Sequence, residues 1–279
     1  MQKRTDLAVE ARAPYHKTRE WEQDGVSLCR LNVDADTAEQ IGKPSGVYIT
    51  ATVPPLTDND DDMQSKARVI GEQLRQLLPK TGTVLVVGLG NEAITPDALG
   101  PRTAAQVLAT RHISVELARS VGLADLRSCA VMTPGVLGNT GVESEEMVAG
   151  VCRTVHPAAV IAVDALAARS VARLGCTVQL SDTGIAPGSG VGNNRRALCR
   201  DTLGIPVIGV GVPTVVDAEV IVREFSGDNT ALTPRGTAMM VTPREIDLMI
   251  DRASRLLAMT VHAALQPSYA PLDLVAIAR

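Results

Sequence analysis

The sequence predicts an α/β fold in three layers, with a mostly parallel central sheet and helices on both faces. Three observations lead there. Apolar, β-branched runs at 83–89, 158–163 and 206–212 lack polar alternation, as strands buried on both faces require. Segments of helical period separate those runs, and strand–helix alternation is the pattern of a parallel sheet. The 279 residues are 45% hydrophobic and 21% charged, with mean hydropathy +0.11, which excludes a disordered chain. Only 2% are aromatic, so the core must be packed by Val, Leu, Ile and Ala.

Residues 1–24 are polar and irregular, with no apolar period. Strands are expected at 26–33 and 47–53, bounded by Gly and Pro. The acidic stretch 58–62 reads as a solvated loop whose charges favour the start of a helix at 63–78, with Val69, Ile70, Leu74, Leu77 and Leu78 on its apolar face. Next come strand 83–89, a glycine-rich turn and a helix at 98–109. Strand 130–133 leads to helix 143–155, and strand 158–163 to helix 165–174. A short strand at 176–180 precedes a long glycine-rich loop and a helix containing 195–201. Strand 206–212 is followed by the segment 216–225. A long helix at 242–265 is expected to use Thr242 as N-cap and Pro243 in its first turn. Without an internal repeat or a linker, residues 1–279 read as one domain.

Charge and composition exclude several functions. A net charge of −4, a pI of about 5.6 and so few aromatic rings give no footprint for nucleic acid. No apolar run approaches the ~20 residues that span a bilayer, and no signal core follows the first residues, so a cytoplasmic location is expected. Cys29, Cys129, Cys152, Cys176 and Cys199 are scattered, without a CxxC pair, and read as reduced thiols rather than a disulfide or zinc framework.

In such a sheet, ligands collect beyond the carboxyl ends of the strands. The turn Gly88-Leu-Gly-Asn91 is a poor dinucleotide site, because its third glycine is replaced by Ala93 and Thr95-Pro-Asp97 delays the helix. Asp97 therefore stands at a helix start, where it is either an N-cap or a functional acid. Asp164 ends the run 158–163 and poses the same choice. Two aspartates on neighbouring parallel strands can converge, one activating water while its protonated partner acts as acid. They can also ligate a metal, but His16, His112, His156 and His262 do not follow the sheet strands, which favours metal-free chemistry. Cys152 with His156, and Ser189 in Pro187-Gly-Ser-Gly190, are weaker nucleophile arrangements. The loop 182–196 is glycine-rich enough for its backbone to approach a ligand, and Asn193, Arg195 and Arg196 at its end can pair with an acidic substrate residue.

Taken together, Arg4-Thr-Asp-Leu-Ala-Val-Glu-Ala11, Ile41-Gly-Lys-Pro44, Gly88-Leu-Gly-Asn91, Thr95-Pro-Asp-Ala-Leu-Gly-Pro101 and Thr133-Pro-Gly-Val-Leu-Gly138 resemble the germination proteases of spore-forming bacteria. So do Val163-Asp-Ala-Leu-Ala-Ala-Arg169, the string 182–193 and Gly211-Val-Pro-Thr-Val-Val-Asp217. The resemblance covers nearly the whole chain. It implies a fold similar to that of hydrogenase maturation endopeptidases, and a cofactor-free endopeptidase that degrades small acid-soluble spore proteins in the spore core. It further implies a homotetramer made as an inactive precursor. Asp97 and Asp164 would be the catalytic carboxylates, which of them is base being open. Asn91, Asp182, Gly188, Ser189, Gly190, Asn193, Arg195 and Arg196 would line the substrate cleft. Self-processing is expected between Asp6 and Leu7, an acidic-then-apolar bond in a polar, exposed terminus, with residues 1–6 as the propeptide. The segment before that string is short and the C-terminal half is lean compared with longer members. The alternatives are a metal-dependent, maturation-type endopeptidase and a non-catalytic peptide-binding protein on the same fold.

Overall fold

A computed structural model describes residues 5–11, 18–58, 61–188, 195–226, 236 and 239–278. Its strands are β1 (Thr18–Gln23), β2 (Val26–Val33), β3 (Gly46–Thr52), β4 (Val84–Gly88), β5 (Cys129–Met132), β6 (Ala159–Ala168), β7 (Thr177–Ser181), β8 (Val207–Asp217) and β9 (Met240–Val241). The helices are α1 (Ala8–Ala11), α2 (Ala35–Ile41), α3 (Met63–Leu77), α4 (Leu99–Ala104), α5 (Val115–Ser120), α6 (Leu137–Thr140), α7 (Ser144–Val155), α8 (Arg200–Leu203), α9 (Ala218–Ser226), α10 (Ile246–Leu265) and α11 (Pro271–Ala278).

These strands form one sheet in the order β1-β2-β3-β7-β8-β6-β4-β5, with β9 paired to the end of β8. The α/β class and the helix-covered sheet match the sequence reading. The parallel ladder, however, is confined to β8-β6-β4-β5. From β1 to β8 every pair is antiparallel, so the sheet is mixed rather than mostly parallel.

Side chains alternate between the faces of each strand. On one face Val84, Val86, Ile161, Val163, Ile208 and Val210 pack with Ile70 and Leu74 of α3 and with Ile250, Leu257 and Val261 of α10. The other face buries Leu85, Val87, Val160, Ala162 and Val207 beneath Val148 of α7 and Leu203 of α8. Each buried Val or Leu contributes about 1.5–3 kcal/mol, so the two layers together anchor the sheet.

Several elements depart from the local reading. The helix expected at 165–174 is strand as far as Ala168, because β6 keeps pairing with β8 out to Ala168–Val216. Long-range hydrogen bonds there outweigh the helical propensity of Ala165-Leu-Ala-Ala168. The 98–109 helix stops at Ala104, and the helix expected over 195–201 is only α8. The last long helix starts at Ile246 with Glu245 as its N-cap residue, not at Thr242, whose hydroxyl instead donates to the Pro243 carbonyl. Within the irregular stretch 1–24 lie α1 and the edge strand β1.

Candidate active site

Asp97 is placed by a tight join between β4 and α4. The amide of Leu89 still donates to the Val163 carbonyl, 2.8 Å away, and then the chain leaves the sheet. It returns through a 3-10 turn at Thr95–Asp97 that contains Pro96. The start of α4 then presses onto the strands so closely that a Cβ on Gly100 would lie 2.2 Å from the Leu89 carbonyl oxygen. Glycine is required there for clearance. The Asp97 carboxylate does not cap α4, whose N-cap residue is Ala98 with no side-chain bond. It turns back to accept the Asn91 amide at 2.8 Å. The Thr214 hydroxyl of β8 ties down the turn by donating to the Pro96 carbonyl, at 2.9 Å.

Asp164 lies within β6 rather than at its end, contrary to the sequence reading. The last β4 residue, Gly88, pairs with Val163, so Asp164 sits just past the point where β4 departs. That departure opens the space into which Asp97 reaches. Asp164 is 4% exposed and accepts the Ala165 amide at 2.9 Å. Both aspartates line a cavity of about 260 Å³, together with Gly90, Leu137, Ser144, Gly188 and Arg195. It adjoins a second cavity of about 390 Å³, and Asp6, Asp164, Leu166 and Gly188 border both.

The two carboxyls differ in proton affinity. Burial pushes Asp164 well above the ordinary carboxyl range, and the negative charges of Asp97 and Asp6 push it further. Burial raises Asp97 too, but the Asn91 amide and the Arg195 guanidinium favour its ionised form. Asp164 is therefore the carboxyl of the pair that holds its proton more tightly, and Asp97 the one more readily ionised.

Residues 5–11 dock beside this cleft, with Asp6 at its border. Leu7 and Ala8 are fully buried, so the exposed terminus expected from the polar composition is replaced by a docked segment. Leu7 fills an apolar cluster of Leu166, Ala168, Val216 and Val220, and Ala8 joins Leu31, Val33, Ile41 and Tyr48. The Asp6 amide donates to the Ala167 carbonyl at 3.0 Å, and the Ala167 amide donates back to the Asp6 carboxylate at 2.8 Å. The Gln179 side chain spans two residues, its Nε2 donating to the Asp6 carbonyl at 2.9 Å and its Oε1 accepting from the Ala8 amide at 2.7 Å. Lys43 Nζ donates to the Thr5 carbonyl at 2.5 Å. Burial lowers the proton affinity of Lys43, the charges of Asp6 and Glu10 restore part of it, and Arg169 opposes them. Glu10 accepts the Arg169 amide at 2.7 Å and the Thr5 hydroxyl.

Gln179, the contact made by Lys43 and the docking of the segment are contributions that sequence reasoning missed. A lone Gln between Val178 and Leu180 of a buried strand was the one local signal.

Of the other residues expected in the cleft, Gly188 and Arg195 line it. Arg195 also faces Glu143 at 4.0 Å, and Arg196 turns away to Glu145 at 3.5 Å and Glu146 at 3.9 Å. Asp182 does not line either cavity; its carboxylate accepts the Val47 amide at 2.7 Å and fixes the start of β3. Asn91 acts through Asp97. Ser189, Gly190 and Asn193 lie outside the described residues.

Cys152 is half-buried in α7, burial raises its thiol, and His156 ends that helix in a left-handed conformation. His262 is buried against the Gln106 carbonyl, and burial lowers it to about 4. Among the described residues no three His, Cys, Asp or Glu side chains are placed to hold a metal ion. None of their helices is long and apolar enough to cross a membrane.

The family model of the germination proteases matches residues 5–226. Similar curated proteins include the germination protease of Caldanaerobacter subterraneus subsp. tengcongensis, 39% identical over 95% of this chain and 94% of that one. The germination protease of Clostridium acetobutylicum is 36% identical over 95% of each chain, and that of Bacillus mycoides 41% identical over 79% of this chain and 65% of the other. Among solved structures, the nickel–iron hydrogenase maturation protease HycI of Thermococcus kodakarensis matches 68% of this chain and 98% of its own. The identity is 16% and the TM-score 0.38.

Proposed function

Because this chain belongs to the germination protease family, it is a protease of spore germination, and we propose that it hydrolyses peptide bonds with Asp97 and Asp164. The observation that carries this reading is the unequal pair of carboxyls in one cavity. In the proposed step the Asp97 carboxylate takes a proton from water as the water oxygen bonds to the carbonyl carbon. The C–N bond then breaks, and the Asp164 carboxyl gives its proton to the departing nitrogen. Proton exchange with solvent resets the pair. General acid–base catalysis of this kind contributes about 10²–10⁴-fold.

The substrates we propose are small acid-soluble spore proteins in the spore core, cut after an acidic residue and before an apolar one, by an enzyme that assembles as a homotetramer. The Asp6–Leu7 bond has the same character and its Asp6 borders the cavity of Asp164, which supports an enzyme made as a precursor that cuts its own segment.

Incubation with a purified small acid-soluble spore protein tests the reading. Asp97→Asn and Asp164→Asn should each slow cleavage by at least ~10²-fold while leaving the circular dichroism unchanged. N-terminal sequencing of the wild type should reveal a new start at Leu7, absent in the Asp97→Asn protein. Near-wild-type activity in either variant defeats the assignment, and inhibition by a chelator that added metal reverses would move the chemistry to a metal ion.

A further inference from the structure

We propose that Gln179 is a further catalytic residue: its side-chain amide grips the peptide across the bond to be cut and stabilises the negative charge that forms on the carbonyl oxygen. The inference rests on the reading that Asp97 and Asp164 cut the Asp6–Leu7 bond. If so, the Asp6 carbonyl is the group that water attacks, and Gln179 Nε2 lies 2.9 Å from its oxygen. A preorganised donor aimed at this oxygen stabilises it to the extent that the bond strengthens as negative charge builds there during attack. The other end of the same amide accepts from the Ala8 amide, so one planar group fixes the main chain on both sides of the bond.

The sheet itself puts Gln179 opposite Asp164. Gln179 pairs with Gly211 across β7 and β8, and Gly211 pairs with Asp164 across β8 and β6. Residues paired in this way point to the same face of a sheet. Both side chains thus stand over the face that carries Val160, Ala162 and Val207, separated by one strand whose residue has no side chain. A Cβ on Gly211 would lie 2.6 Å from the Asp164 carbonyl oxygen, so the floor between them has to be glycine. The result is a trough one strand wide, with the Asp164 carboxyl on one wall and the Gln179 amide on the other.

Gln179 is 8% exposed, and both hydrogen bonds of its side chain go to the main chain of residues 6 and 8. Burying an amide is costly unless it is bonded. Its partners belong to a segment whose first part would leave on cleavage. A grip on main-chain atoms reads no side chain, so it serves a substrate from another molecule equally well. In the step, the π electrons of the Asp6 carbonyl move onto its oxygen as the water oxygen bonds to carbon. The Nε2–H bond to that oxygen strengthens, and no covalent bond to Gln179 forms.

The test uses the full chain and two synthetic peptides with the sequence of residues 4–11, one of them carrying an ester in place of the Leu–Ala amide. Gln179→Ala and the near-isosteric Gln179→Glu should lower kcat on the amide peptide by about 10²–10³-fold, with KM changed far less. The ester removes the N–H that Gln179 accepts. It should cost the wild type about tenfold and cost Gln179→Ala nothing further, since their shared hydrogen bond is already gone. A melting curve for each variant separates loss of chemistry from loss of fold, and Gln179→Glu keeps the side-chain volume if alanine does not fold. Wild-type kcat in folded Gln179 variants, or an equal ester penalty in wild type and Gln179→Ala, would overturn the inference while Asp97→Asn and Asp164→Asn remain inactive. Activity in those two aspartate variants would instead overturn the reading beneath it.

Discussion

Replacing Leu7 by alanine separates the docked segment from the rest of the fold. The Leu7 side chain is 0% exposed, and the change removes three carbons from the cluster it shares with Leu166, Ala168, Val216 and Val220. At ~0.8 kcal/mol per buried carbon the transfer loss is about 2.4 kcal/mol. A residual cavity raises the cost to about 3 kcal/mol. This cluster lies at the far ends of β6 and β8, apart from the helix-covered layers, so the loss should appear as local undocking of residues 5–11. Three kcal/mol corresponds to about two powers of ten in the ratio of docked to undocked segment. Hydrogen exchange reads this directly. The amides of Asp6, Ala8 and Ala167, whose acceptors all lie across the docked interface, should lose about 100-fold in protection. Those of Val86 and Ile161 in the sheet centre should keep theirs. Self-cleavage should slow and cleavage of an added peptide should rise, because the cleft is vacated. Unchanged protection at the three amides, or an equal loss throughout the sheet, would refute the reasoning.

Two further outcomes follow from the charges. Burial raises the Asp164 pKa above its unfolded value, so the native state holds more protons, and stability falls as pH rises through that window. Asp164→Asn should therefore melt higher than wild type at neutral pH, with the gap narrowing on acidification; a lower melting temperature at neutral pH would count against it. Arg195 favours the ionised form of Asp97, so Arg195→Ala should move the acid limb of the pH–rate profile to higher pH, and an unmoved limb would remove Arg195 from the site.

What could be read locally was the class of fold and the two acids. Short, β-branched, unalternated runs such as 83–89 read as strands covered on both sides, and an aspartate following such a run stands out because ionising it there is costly. The string around Asp97 showed its rigid turn through Pro96, while the clearance that Gly100 provides emerged only from the packing against Leu89. Local reading placed the helix after Asp164 wrongly, because propensity over Ala165-Leu-Ala-Ala168 is worth tenths of a kcal/mol per residue. Pairing with β8, over forty positions away in sequence, outweighed it. The docking of residues 5–11 was invisible for the same reason. It is held by hydrogen bonds to Lys43, Ala167, Arg169 and Gln179, and no local period announces such partners. Gln179 gains its role from one row of the sheet, Gln179–Gly211–Asp164, which joins three strands of different hand-offs in the chain. The sequence by itself determined which runs form the buried strands of the sheet and where charge is out of place. Only the tertiary structure decided which of them share a cavity, because strand register is set by hydrogen bonds between segments far apart, and a shift of one residue would turn each of these side chains to the opposite face.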